Sequence, residues 1–134
     1  MVKTSYSDLG IEADVSAFLA EPWRSLQEAD MVVARSGALT VSELAAAGRG
    51  ALLVPFASAA GNHQEFNARS LERVGGAAVL TEDQATPKRV AELVGEVLCD
   101  PQKMIRMGAA ASTMARPNAA RRIADRVLAI GGGQ

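Results

Sequence analysis

Two short segments hold most of the side chains that could act on a ligand. The first is Arg35-Ser36-Gly37-Ala38-Leu39-Thr40-Val41-Ser42-Glu43; the second is His63-Gln64, followed by Asn67-Ala68. The first segment follows the apolar run Met31-Val32-Val33-Ala34, which reads as a buried parallel strand. It precedes Leu44-Ala45-Ala46-Ala47-Gly48, a helix body that stops at glycine. It is therefore expected to be a strand-to-helix turn at the carboxyl edge of a sheet, where open α/β folds hold ligands. Gly37 lets the backbone come close to a ligand, and the free N–H groups of the first helical turn favour an anion. Glu43, about one turn further on, is too deep for a phosphate but suits hydroxyl groups. A diphosphate over the turn with a ribose diol on the carboxylate is the chemistry this spacing allows. Thr40 and Glu43 also have the spacing of a capping box, which needs no ligand. The segment taken alone leaves both readings open.

The second segment follows the strand expected at Ala51-Leu52-Leu53-Val54-Pro55-Phe56 and a polar loop from Ala57 to Asn62. Two consecutive strands thus empty into polar turns on one sheet edge. The second turn offers an imidazole and an amide side by side, groups that suit sugar hydroxyls. Arg35 has two readings: a partner for the diphosphate or a closing element of the cleft, against a structural pair with Asp30 or Glu43. His63, the single histidine, is either a solvated loop residue or a sugar contact. One His and one Cys cannot make a metal site. Ser36 has no second histidine to serve a hydrolytic triad. No metal and no cofactor are expected.

These segments together resemble the MurG family, the UDP-N-acetylglucosamine:N-acetylmuramyl-(pentapeptide) pyrophosphoryl-undecaprenol N-acetylglucosaminyltransferases of bacterial peptidoglycan synthesis. The resemblance rests on residues 35–43, on Ala45-Ala46-Ala47-Gly48, on Leu53-Val54-Pro55-Phe56, and on His63-Gln64 with Asn67-Ala68. It runs from about Val15 to about Ala129. It implies an α/β fold with a parallel Rossmann-like sheet, the C-terminal half of a GT-B glycosyltransferase. It also implies a single, partial UDP-sugar-binding domain over residues 1–134, the acceptor domain being absent. Glu43 would hold the ribose hydroxyls, and Ala38 and Leu39 would line the sugar through their backbone. His63 and Gln64 would contact the N-acetylglucosamine, and the backbone of Leu19 would read the uracil edge. Arg35, Ser36, Gly37 and Thr40 complete the implied donor set.

The implied partners are UDP-N-acetylglucosamine and, through the missing domain, a lipid-linked acceptor. The catalytic base is expected on that other domain. The implied location is the cytoplasm, with peripheral contact at the inner membrane in the full-length family. This sequence departs from the family pattern in two places: Arg49-Gly50 stands where members usually carry Leu-Pro, and His63 where many carry glutamine. Two other readings remain: a stand-alone nucleotide-sugar-binding subunit of a two-component glycosyltransferase, and a GT-B-shaped sugar-nucleotide epimerase. The second would want more acidic and histidine residues in the cleft than are present.

Composition narrows the class. At 134 residues, 49% hydrophobic and 22% charged, the chain fits one globular domain. A net charge of −1 gives no basic surface for nucleic acid. The single Cys99 cannot form an internal disulfide, suits a reducing compartment, and in its apolar run reads as a buried small hydrophobe. There is no basic-then-apolar targeting pattern at the start, and no apolar run approaches the roughly 20 residues of a membrane span.

The remaining elements follow from periodicity. Met1 to Gly10 reads as the tail of a helix and Ile11 to Phe18 as an alternating strand. A short helix opens at Glu21-Pro22-Trp23, its tryptophan expected in the core. Helices are expected over Thr40–Ala47 and Gln64–Val74, the latter with Phe66, Leu71 and Val74 on one face and Arg69 and Arg73 outward. The last strand is Ala77–Leu80. Pro87 starts a helix to Leu98 with Val90, Leu93, Val94 and Val97 in one stripe. Asp100-Pro101 caps another helix, to about Ala115. Pro117 starts the last, Asn118 to Ile130, with Ile123, Val127 and Ile130 inward; the tail Gly131–Gln134 is expected to be flexible. Strands alternating with helices give a parallel sheet.

Overall fold

The computed structural model describes residues 2–58 and 60–131. Its element order is α1 (Val2–Asp8), α2 (Pro22–Glu28), β1 (Val32–Ala34), α3 (Ala38–Ala47), β2 (Ala51–Leu53), α4 (His63–Arg73), β3 (Ala77–Val79), α5 (Pro87–Leu98), α6 (Pro101–Ser112) and α7 (Ala119–Gly131), with one tight 3-10 turn at Ala60–Asn62 before α4. The three strands form one parallel sheet in the order β1-β2-β3. Val32 pairs with Ala51, and Ala51 with Ala77. The parallel α/β expectation holds.

β2 is the centre of the molecule. Ala51, Leu52 and Leu53 are all fully buried. Ala51 and Leu53 pack with Val41 and Leu44 of α3, Ala68 and Leu71 of α4, and Ala111 of α6. Leu52 points to the opposite face and is buried there too, so the strand reads as a continuous apolar run rather than an alternation. Each fully buried leucine contributes about 1.5–3 kcal/mol of transfer free energy.

The helix ends follow local chemistry. Gly48 closes α3 in the left-handed conformation at φ 65°, where a side chain would be strained. Thr86 caps α5 by accepting from the Arg89 amide, and Asp100 caps α6 by accepting from the Gln102 and Lys103 amides. Both helices begin with proline, whose missing N–H is harmless there. Arg49 donates from Nε to the Leu26 carbonyl at 3.0 Å and from Nη2 to that of Gln27, tying the end of α2 to the turn before β2. Gly50, buried in the same turn, would place an added Cβ 2.8 Å from Met107 Cβ. Arg49 and Gly50 thus each have a structural use: the arginine binds the end of α2 and the glycine lets α6 approach.

Several expectations are corrected. Ile11–Phe18 is not a strand. Its alternation is real, but no neighbouring strand supplies the ladder that would hold it, and Ile11 and Phe18 are exposed. Trp23 is half-exposed rather than in the core, and Phe66 is 70% exposed; on α4 only Ala68 and Leu71 are buried. Cys99 is exposed, because it falls at the end of α5, past the last turn that packs inward. Ile123, Val127 and Ile130 do share one face of α7, but they are 65%, 62% and 78% exposed: the periodicity is amphipathic, yet among the described residues no element covers it. The remaining stripe, Val90, Leu93, Val94 and Val97 on α5, faces inward as expected. Of the expected tail, Gly131 ends α7 and residues 132–134 lie outside the described residues.

Candidate functional site

The turn after β1 runs from Arg35 through Gly37 into α3. Gly37 is the N-cap residue and makes no side-chain cap. Thr40 is already helical, so the capping-box reading of Thr40 and Glu43 fails: the helix starts earlier than that box requires. The first amide drawn into the ladder is that of Val41, which donates to the Gly37 carbonyl at 3.1 Å. The amides of Ala38, Leu39 and Thr40 have no acceptor within the helix, the general condition of a helix start. They carry the positive end of the helix dipole. Leu39 is 78% exposed beside them. Glu43 is exposed about one and a half turns past Ala38; among the described residues its carboxylate has no hydrogen bond or ion pair.

Ser36 differs from its neighbours. It is the one buried polar side chain among the described residues. Its hydroxyl donates to the Gln64 carbonyl at 2.7 Å, and its own carbonyl accepts from Asn67 Nδ2 at 3.1 Å. Both bonds join the turn after β1 to the start of α4. The structure thus brings the two sequence segments together, and Ser36 does the joining rather than facing solvent. Asn67 completes this joint.

The start of α4 carries the second set. His63 is its first residue and exposed. Its imidazole folds back over the preceding turn, since a Cβ on Gly61 would lie 3.1 Å from His63 Nε2. Gln64 turns its side-chain oxygen onto the Phe56 amide at 3.0 Å, which leaves its NH2 end available. On the outer face of α4, Arg69 pairs with Glu72 at 2.9 Å and Glu65 at 3.6 Å. The Glu72 hydrogen bond foremost, partly offset by desolvation and helped by the charges of Glu72 and Glu65, raises the Arg69 guanidinium above its ordinary value.

Arg35 pairs with neither Asp30 nor Glu43. Its Nη1 lies 2.7 Å from Glu82 Oε1 and donates to the carbonyls of Val54 and Pro55, each at 3.2 Å. The guanidinium sits over the Phe56 ring, 5.4 Å from its centroid. Glu82 comes from the loop after β3 and its other oxygen accepts from the Ala57 amide at 3.2 Å. Sequence reasoning missed Glu82; only the topology brings it here. With side chains 51% and 35% exposed, the pair adds about 0–1 kcal/mol to stability. Beside it lies a cleft of about 350 Å³ lined by Pro55, Phe56, Ala57, Asn62, Glu65, Thr81, Glu82 and Asp83.

Leu19 stands apart. It is half-exposed in the irregular stretch before α2, and among the described residues no hydrogen bond joins it to either turn. No group of three or more His, Cys, Asp or Glu residues able to hold a metal occurs among the described residues. No helix there is long and apolar enough to cross a membrane.

The molecule is thus an open parallel α/β domain with two polar turns joined at one sheet edge. Residues 1–125 match the glycosyltransferase family 28 C-terminal domain, and the chain belongs to that family. Among curated relatives, the UDP-N-acetylglucosamine–N-acetylmuramyl-(pentapeptide) pyrophosphoryl-undecaprenol N-acetylglucosamine transferase of Rhodospirillum rubrum is 44% identical over 128 residues, covering 96% of this chain and 33% of the relative. The transferase of the same name from Xanthomonas axonopodis is 41% identical over 126 residues, covering 94% of this chain and 30% of the relative. The crystal structure of MurG from Acinetobacter baumannii superposes with a TM-score of 0.83 at 31% identity, covering 93% of this chain and 36% of that one. The fold expected from the resemblance, the C-terminal half of a GT-B glycosyltransferase, is the fold found. This chain spans about a third of the length of the curated relatives it matches.

Proposed function

We propose that this chain is the donor-binding part of a glycosyltransferase that moves N-acetylglucosamine from UDP-N-acetylglucosamine to a lipid-linked muramyl-pentapeptide in peptidoglycan synthesis. The observation that carries the reading is the uncapped start of α3 with a free carboxylate downstream. A diphosphate takes the amides of Ala38, Leu39 and Thr40, with Gly37 letting it approach. Glu43 accepts from the ribose hydroxyls. The backbone of Ala38 and Leu39, the His63 imidazole and the free end of the Gln64 amide address the sugar. Ser36 holds the two turns in register, Arg35 borders them, and Leu19 offers its backbone to the base. Charge developing on the leaving diphosphate is stabilised by the same helix start. The names of the relatives support the donor and the acceptor class. The acceptor and the catalytic base belong to a second domain, and contact with the cytoplasmic face of a membrane belongs to the whole enzyme.

The 134-residue chain by itself is expected to bind donor without turning over acceptor, because two substrates must be held together for attack. Calorimetric titration with UDP-N-acetylglucosamine, UDP-glucose and UDP tests this. Affinity nearer millimolar than micromolar, roughly −4 kcal/mol, is expected for the acetylated sugar nucleotide. No saturable heat with any of the three ligands would remove the donor-binding assignment.

A further inference from the structure

One backbone group on each of four consecutive residues between β2 and α4 is held by a side chain from elsewhere. The carbonyls of Val54 and Pro55 accept from Arg35 Nη1. The Phe56 amide donates to Gln64 Oε1 and the Ala57 amide to Glu82 Oε2. The Arg35–Glu82 contact at 2.7 Å closes the set. This segment has left the ladder: the Val54 amide still donates to the Ala34 carbonyl, but the next residues have no strand to pair with. Irregular backbone with no ladder holds one conformation only if other groups take its donors and acceptors. Here three side chains from three different places do so, and one of them, Gln64, is assigned to the sugar in the donor-binding reading above.

We propose that Glu82 is a positioning residue for donor-sugar recognition. It fixes Arg35 and the Ala57 amide, which together hold Val54–Ala57, and that segment fixes the Gln64 side chain and the start of α4. Glu82 touches no ligand. The pair it makes is too exposed to matter much for stability, so its use lies in the conformation it selects. The inference rests on the donor-binding reading above and adds the loop after β3 to the recognition apparatus. It separates two parts of the donor site: the α3 amides and Glu43 depend on the turn after β1, whereas the His63 and Gln64 sugar contacts at the start of α4 depend on the clamp.

The test compares Glu82→Ala and Glu82→Gln with the unmodified chain, titrating each with UDP and with UDP-N-acetylglucosamine. Glu82→Ala removes the Arg35 pair and the acceptor of the Ala57 amide together, and is expected to weaken UDP-N-acetylglucosamine by up to about tenfold, the loss when the competent loop is populated in about one molecule in ten. UDP affinity is expected to change by less than about twofold, since no sugar contact is involved. Glu82→Gln keeps an acceptor for the Ala57 amide but not the charge on Arg35, and should fall between the two. In the Glu82→Ala background, Arg35→Ala should add little further loss of sugar affinity, because the two act as one unit. Retained UDP binding in the variants also reports that they are folded. Equal losses for both ligands, or none for either, would overturn the positioning role while leaving the donor site in place. Absence of donor binding by the unmodified chain would overturn both.

Discussion

Replacing Glu43 by glutamine is expected to weaken UDP binding by about 1.5–3 kcal/mol, the range for hydrogen bonds to a charged group. That corresponds to roughly a ten- to hundredfold rise in Kd. A carboxylate accepts from both vicinal ribose hydroxyls at once; the amide offers one acceptor oxygen and turns an NH2 toward the second hydroxyl. The melting temperature should hardly move. Glu43 is exposed, has no partner among the described residues, and lies beyond the first turn of α3, so it caps nothing. Titration with 2′,3′-dideoxy-UDP completes the cycle: the substitution should barely affect this analogue, which lacks the diol. Equal losses for UDP and the dideoxy compound would take Glu43 off the ribose.

Gly108→Ala is expected to be the most damaging small substitution on α6. A Cβ there would lie 2.4 Å from the carbonyl oxygen of Gly48 and 3.4 Å from its carbon. Both are backbone atoms at the end of α3, where Gly48 is itself committed to a positive φ. No flexible side chain can give way, so α6 must separate from α3. The cost should reach the upper end of the overpacking range, about 3 kcal/mol, or roughly a 10 °C fall in Tm for a domain of this size. Gly95→Ala is the control: nothing lies within 4 Å of its added Cβ, and alanine in a helix interior gains up to about 1 kcal/mol. Thermal melts of the two should move in opposite directions, and a Gly108→Ala protein melting within about 2 °C of the parent would show that the α3–α6 approach is not tight.

Much of this was legible in the sequence wherever the signal was local. Pro87, Asp100-Pro101 and Gly48 mark helix ends through their own backbone chemistry, and each marks the end it was expected to mark. The two polar turns were visible because each follows an apolar run of strand length. What failed depended on neighbours that a sequence does not display. Ile11–Phe18 alternates as a strand should, but alternation describes faces, not ladders. Phe66, Ile123, Val127 and Ile130 have helical spacing, which places them together without supplying a surface to face. The partner of Arg35 was missed because Glu82 arrives only after β3 has been laid beside β2. The burial of Ser36 was not legible, because it is a property of the joint between the two turns.

The placement of β2 between β1 and β3 has a consequence for how the domain comes apart. Ala51 pairs on one side with Val32 and on the other with Ala77, so both ladders share one three-residue strand. Neither edge strand can stay paired once it leaves. Loss of β2 therefore breaks both ladders in one step, and opening at this strand is expected to coincide with global unfolding. Amide exchange at Ala51, which donates to Gly76 on the β3 side, and at Val54, which donates to Ala34 on the β1 side, should then both report the full stability of the chain, while the two ligand-facing turns lose their relative position in a single step.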